Sequence, residues 1–291
     1  MSIIILLLIT GVGLGALYFL VASGLSLIYG LMGVLNFAHG SFLTIAGFIG
    51  WEVGRRVGDG TWSGLLIGML VGVVVGAVVA ALTELVFIRP LYNRHIEQVL
   101  VTVGLGLASV ALFEGIWGTD PIQIRLPGWL GQTTNVLGAN IPNDRWLLIG
   151  AAVAVLLLIV LFLQRTSYGL VIRAGVENRT MVTALGIDVR RAFTIVFAIG
   201  GAAAGLGGVL ASVYYGQVSA HQGTSLLIFA FIVTVIGGLG SLTGAAIASV
   251  LVAVIQQFAN FYGGWGDFAV VLALALVLLF RPTGLMGKVK H

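Results

Sequence analysis

Apolar residues fall into nine runs along the chain, at about 3–31, 37–53, 65–88, 99–117, 146–163, 193–213, 225–236, 245–261 and 268–280. A helix needs roughly 20 apolar residues to cross the hydrocarbon core of a bilayer. The pattern therefore predicts an all-α polytopic membrane protein, a bundle of about eight to nine transmembrane helices. The run at 225–236 is short for a crossing and reads equally well as a re-entrant half-helix. The stretch from Ile3 to about Ile28 lacks a basic lead and is too long for a cleaved signal, so it is expected to be a retained first span. With mostly short connections, residues 1–291 are expected to form one transmembrane domain.

Two connections are longer. Residues 165–192 are polar and interrupt deep hydrophobic runs on both sides, and residues 118–145 carry Pro121, Pro127, Pro142, Trp129 and Trp146. If 165–192 is cytoplasmic, that side holds Arg89, Arg94, Arg165, Arg173, Arg179, Arg190, Arg191, Arg281, Lys288 and Lys290, ten of the fourteen basic residues. The other side holds only Arg55, Arg56, Arg125 and Arg145. This split obeys the positive-inside rule and places the 165–192 loop and the C-terminus in the cytoplasm. The 118–145 loop is then external, either as a cap or docking surface or as a plain connector. Within 165–192, Leu170, Ala174, Val176, Met181, Ala184 and Leu185 recur at helical spacing among Arg173, Glu177, Asn178 and Arg179, predicting two short amphipathic helices. Gly186 suits the end of the second, and Asp188 the start of the next span. Such an element lies on the membrane surface or in another protein's groove.

Composition agrees with the pattern: 59% of residues are hydrophobic and 8% charged. The 43 glycines include rows at GxxxG spacing, Gly68 with Gly72 and Gly76, Gly201 with Gly205, and Gly240 with Gly244. In lipid such rows let helix backbones approach closely. With no cysteine and four scattered histidines (His39, His95, His221, His291), neither a disulfide framework nor a metal site is expected. The strings Gly11-Val12-Gly13 and Gly104-Leu105-Gly106 lie inside apolar helices and do not bind nucleotide, and no GxxxxGK[ST] phosphate loop occurs. No catalytic residue, cofactor of its own or nucleic-acid partner is expected.

Several segments together resemble the permease subunits of ABC importers for branched-chain amino acids. They are GLVIRAGVENRTMVTALGI and the following AIGGAAAGLGGVL within 165–210, GLMGVLNFAHGSF at 30–42, ELVFIRPLYNR at 84–94, VIGGLGSLTGAAIAS at 235–249 and RPTGLMG at 281–287. The NFAHG form points to the LivH-like branch over the LivM-like one. The resemblance spans essentially the whole chain and implies a cytoplasmic coupling-helix loop at 165–192, in which Gly169, Arg173, Glu177, Asn178, Ala184 and Gly186 match the family's coupling pattern. It also implies two ATP-binding-cassette partners carrying the ATP and Mg, a second LivM-like permease or a second copy of this chain, and a periplasmic solute-binding protein in a bacterial inner membrane.

For the solute path, residues 35–47 and 236–244 interrupt apolar sequence with glycines and small polar residues in opposite halves of the chain, which points to discontinuous helices. Asn36, His39, Ser41, Ser241 and Thr243 are the candidate lining residues. A serine or threonine there serves equally as a helix hydrogen-bonder, and a lone histidine is more often structural. A proton- or sodium-coupled carrier needs a midplane carboxylate, whereas Glu52, Glu84 and Glu114 fall near span ends. Glu84 reads as half of an interfacial ion pair with Arg89. The alternative function is a passive channel for a small polar solute such as urea or an amide.

Overall fold

The computed structural model describes residues 2–287 except Val34, Asn93, Leu185 and Ile187, and leaves out the side chains of 176–180, 183 and 184. Each of the nine apolar runs is a helix. They are α1 (Ser2–Met32), α2 (His39–Gly58), α3 (Trp62–Thr83), α4 (His95–Trp117), α5 (Asp144–Arg165), α7 (Val189–Tyr215), α8 (Gln222–Gly237), α9 (Leu242–Gly263) and α10 (Gly266–Phe280), with α6 (Ser167–Ala184) inserted in the polar stretch. Among the described residues, six are long and apolar enough to cross a membrane. The charged α2 and the shorter α8 and α10 complete the predicted bundle.

Two ends are distinct. At one, α1 starts beside the hairpin of β2 (Thr133–Val136) and β3 (Ala139–Pro142), and β1 (Ile122–Gln123) pairs with β4 (Gln217–Val218). Residues 118–143 are thus partly ordered by strand pairing, a small addition to the all-α expectation. The hairpin turns at Leu137 and Gly138, both at positive φ, as a two-residue loop requires. Arg55, Arg125 and Arg145 lie at this end: Arg125 bonds Asp59 at 3.2 Å, and Arg145 stacks 3.7 Å over the Tyr214 ring. At the other end, Arg89 meets the start of α7, Arg165 closes α5 and Arg281 follows α10. The structure therefore sorts the described arginines as the hydropathy pattern did.

Helix packing follows the glycines. The row Gly72 and Gly76 on α3 faces Gly205 and Gly201 on α7, so closely that a Cβ on any of the four would strike the opposing backbone or, at Gly72, a Val209 methyl. Gly24 of α1 and Gly200 of α7 cross in the same way. Small residues let these backbones gain dispersion contacts that lipid cannot supply. The arrangement repeats internally with inverted direction. Helix α1 packs on α9, α8 and α7, while α7 packs on α3, α2 and α1. The trio α1, α2, α3 thus has its counterpart in α7, α8, α9.

Candidate functional site

After α1 ends at Met32, the chain turns back and starts α2 at His39, whose Nε2 lies 3.1 Å from the Val21 carbonyl. Val21 is eleven residues before the end of α1, so α2 begins about 16 Å inside that end, at 1.5 Å per residue. Helix α8 likewise begins inside the bundle: Gly223 packs on Gly40, and its N–H donates to Thr44 Oγ1 at 3.0 Å. Both start inside the bundle with their first turns touching, and they run for 20 and 16 residues. The counterpart of NFAHGSFLTI (36–45) is SAHQGTSLLI (219–228), with Gly40 and Gly223, Ser41 and Thr224, and Leu43 and Leu226 in register.

This crossing holds polar atoms with no partner among the described residues. His39 is fully buried with Nδ1 unpaired, Asn36 is buried with Nδ2 unpaired, and Gln222 is buried with Nε2 unpaired. Buried polar groups of native proteins nearly always have partners. Ser41 is half-buried nearby, its N–H bonded to the Ala38 carbonyl. Asn36, His39 and Ser41 are therefore brought together. Ser241 and Thr243 are not. Ser241 caps α9, accepting from Gly244 N at 3.0 Å, and Thr243 is exposed beside Met286. They sit in the tight α8–α9 turn where Gly240 meets Gly30, nine residues below Val21 on α1, or about 14 Å away along the helix. A serine before a helix reads as either path or cap, and here it is a cap.

At the arginine-rich end, α3 continues into a π-helical turn, Glu84–Ile88, and a 3-10 turn, Arg89–Leu91. Such turns inside helices recur at functional positions. Glu84 is fully buried, which differs from the interfacial pair expected for it. The expected bond to Arg89 exists, at 3.3 Å. In addition, Glu84 Oε1 accepts from the Tyr92 hydroxyl and Oε2 from Thr194 Oγ1 at 2.7 Å, while Thr194 accepts from Arg89 at 2.8 Å. A buried carboxylate requires such a shell of donors. Burial and the Glu84 carboxylate push the Tyr92 hydroxyl well above the usual phenol range, so it remains a donor. The cluster ties the α3–α4 connection to the second turn of α7.

Helix α6 precedes α7 in the chain. It is one continuous helix, where two short ones were expected. Thr166 Oγ1 accepts from Gly169 N at 3.0 Å to start it, and a Cβ at Gly169 would strike the Phe162 and Leu163 carbonyls. Gly169 is thus what allows α6 to fold back sharply on α5. Ile172, Gly175 and Val182 are buried against the bundle, so the protein itself covers one face of α6. Tyr168, Leu170, Arg173 and Met181 are exposed, Leu170 and Met181 to more than 60%. The side chains of Glu177, Asn178 and Ala184 lie outside the described residues. Gly186 has φ +78°, as its helix-ending role demands, and Asp188 accepts from Arg190 N to start α7.

The model of the family described as branched-chain amino acid transport system, permease component, matches residues 7–280. The chain belongs to this family. It is a multi-pass transport permease. It is 26% identical over 288 residues to the LivH permease protein of the high-affinity branched-chain amino acid transport system of Salmonella typhimurium, covering 96% of this chain and 94% of that one. It is 29% identical over 291 residues to the corresponding BraD protein of Pseudomonas aeruginosa, covering 97% and 95%. A probable LivM permease of Methanocaldococcus jannaschii is 24% identical over 206 residues, covering 63% of this chain and 60% of that one. No solved structure matches. The LivH-like reading of the NFAHG segment accords with these coverages.

Three features of the site escaped the sequence: Gln98, Gln222 and the burial of Glu84. The first two are single amides in apolar helices, and only the repeat of 36–45 at 219–228 marks Gln222.

Proposed function

We propose that this permease is the membrane-spanning subunit of an ATP-driven importer for branched-chain or other hydrophobic amino acids. The arginine-rich end faces the cytoplasm of a bacterium, and α6 docks on an ATP-binding-cassette subunit. A second permease, LivM-like or another copy of this chain, completes the pair with two ATPases. A periplasmic binding protein delivers the solute to the opposite end, where a shallow cleft lies between the α2–α3 hairpin and Ile124–Pro127.

The observation that carries this reading is the exposed face of α6, with Tyr168, Leu170, Arg173 and Met181, on the helix that precedes α7 and its Glu84–Thr194 tie in the chain. A push on α6 moves the start of α7, and through Thr194 in its second turn it moves the π-helical turn and α3. ATP binding then acts by favouring one of two packings of these elements, with no catalytic group on this chain. The unpaired Asn36, His39 and Gln222 atoms lie inside the bundle where the starts of α2 and α8 touch, and they meet the solute only in a packing that opens this contact.

The test is mass spectrometry of the complex purified in mild detergent through a C-terminal tag on this chain. Two ATPases and a second permease are expected. Recovery of this chain alone or as a homo-oligomer, with detergent controls intact, would favour the channel.

A further inference from the structure

Helix α4 stops short of the outer end of α3. Its last residue, Trp117, stacks on Phe48 of α2 at 4.5 Å. Gly50 and Gly54 of α2 face Gly68 and Gly64 of α3, which sets Phe48 level with about residue 70, eight residues or about 12 Å below the start of α3 at Trp62. Trp62 and Trp129, both exposed with ring centroids 6.0 Å apart, mark the outer interface, where tryptophan concentrates. Glu114, one turn before Trp117, therefore lies at hydrocarbon depth although it is near the end of its own helix. There it meets His221, the residue that precedes α8, whose Nε2 lies 2.8 Å from Glu114 Oε1. An ionised carboxylate only accepts, so Nε2 donates.

The pair is open to the outside of this chain: the His221 side chain is 65% exposed and that of Glu114 30%. The face continues deeper along α8 with Thr224 and Ser225, both exposed at helical spacing from His221. A hydroxyl is tolerated in lipid by bonding back to its own helix, as Ser225 does to the His221 carbonyl at 3.3 Å. An ion pair has no such escape, and ionisable side chains at this depth face protein or water. Gln222, next to His221, is buried with Nε2 unpaired, so the face adjoins the α2–α8 crossing.

We infer that this α4–α8 face lines the solute path, with Glu114 and His221 as the contact for the zwitterion of an amino acid. The charges are complementary. The solute ammonium donates to Glu114 and its carboxylate accepts from His221, so the solute replaces the one bond of the pair with two of its own and leaves neither group unpaired where water is scarce. A path along the side of one chain needs a second wall, and the importer reading, on which this assignment rests, supplies it as the second permease.

The chain has no cysteine, so single cysteines report which surfaces meet water. The complete complex is reconstituted in proteoliposomes with its binding protein, and Ser225→Cys is labelled with a charged methanethiosulfonate beside Leu157→Cys, in the wholly apolar middle of α5. The reagent attacks the thiolate, which forms in water and not in hydrocarbon, so Ser225→Cys is expected to react about 10-fold faster or more. Leucine-loaded binding protein with ATP is expected to slow that labelling about threefold by occupying the face, and Glu114→Gln, introduced beside Ser225→Cys, is expected to remove the slowing. If Glu114→Gln fails to assemble, His221→Gln takes its place. Equal, slow labelling at both positions puts the face in lipid or under protein and overturns the proposal. Fast labelling that leucine does not slow, or slows equally with Glu114→Gln, overturns the role of the pair. Absence of ATP-driven leucine uptake in the same vesicles overturns the importer reading instead, while the labelling contrast still reports whether the face meets water.

Discussion

Thr194 Oγ1 donates to Glu84 Oε2 over 2.7 Å, joining residues 110 positions apart in the chain. The hydroxyl also accepts from Arg89, so a single threonine completes the pairing of a buried carboxylate with its cation. Because α7 starts a few residues after α6, this bond links the helix that follows α6 to the α3–α4 turn.

Removing the carboxylate takes one hydrogen-bond partner from each of Arg89, Tyr92 and Thr194. Glu84→Ala is expected to destabilise the permease by about 1–3 kcal/mol, because the Arg89 it leaves behind is partly solvated. Thr194→Val removes only one hydroxyl and is expected to cost about 1–2 kcal/mol. Denaturant titration of both single variants and the double variant measures the coupling, expected at about 0.5–3 kcal/mol. Additive losses would mean that the two residues do not act together.

The α3–α7 seam makes a sharper contrast. Gly205→Ala places a methyl on the Gly72 carbonyl and is expected to cost about 1–3 kcal/mol. Gly104→Ala, on the loosely packed α4 with nothing within 4 Å, is expected to be neutral or stabilising by up to about 1 kcal/mol. Melting temperatures in one detergent rank the two.

How much of this was legible beforehand differs from residue to residue. The Gly72–Gly76 and Gly201–Gly205 rows announced their seam because GxxxG spacing has one main physical use in lipid. The end of α6 at Gly186 and the start of α7 at Asp188 were legible from capping chemistry alone. Ser241 was legible only as a hydroxyl before a helix, a position that serves caps and solute paths alike, and the structure shows its capping bond. Glu84 was placed near a span end, which is correct, but hydropathy reports position along the normal and is silent about burial within the bundle. The α2–α8 crossing was half visible: residues 35–47 were singled out, while the partner segment was sought at 236–244 in place of 219–228.

Gly186 holds φ +78°, whereas proline is confined near −65°. Gly186→Pro is expected to leave the chain inserted and stable while ATP-driven uptake falls roughly 10-fold, the scale of a typical allosteric coupling. Full uptake in this variant would remove α6 from the transmission path. Western blots of washed membranes control for insertion.

The most direct test of the central claim is leucine uptake into proteoliposomes carrying the purified complex, with ATP and the binding protein each supplied or withheld. Uptake that requires both, and is lost in Glu84→Gln and Thr194→Val while the ATPases stay bound, is the predicted result. Uptake at the same rate without ATP would contradict the account and make the protein a channel.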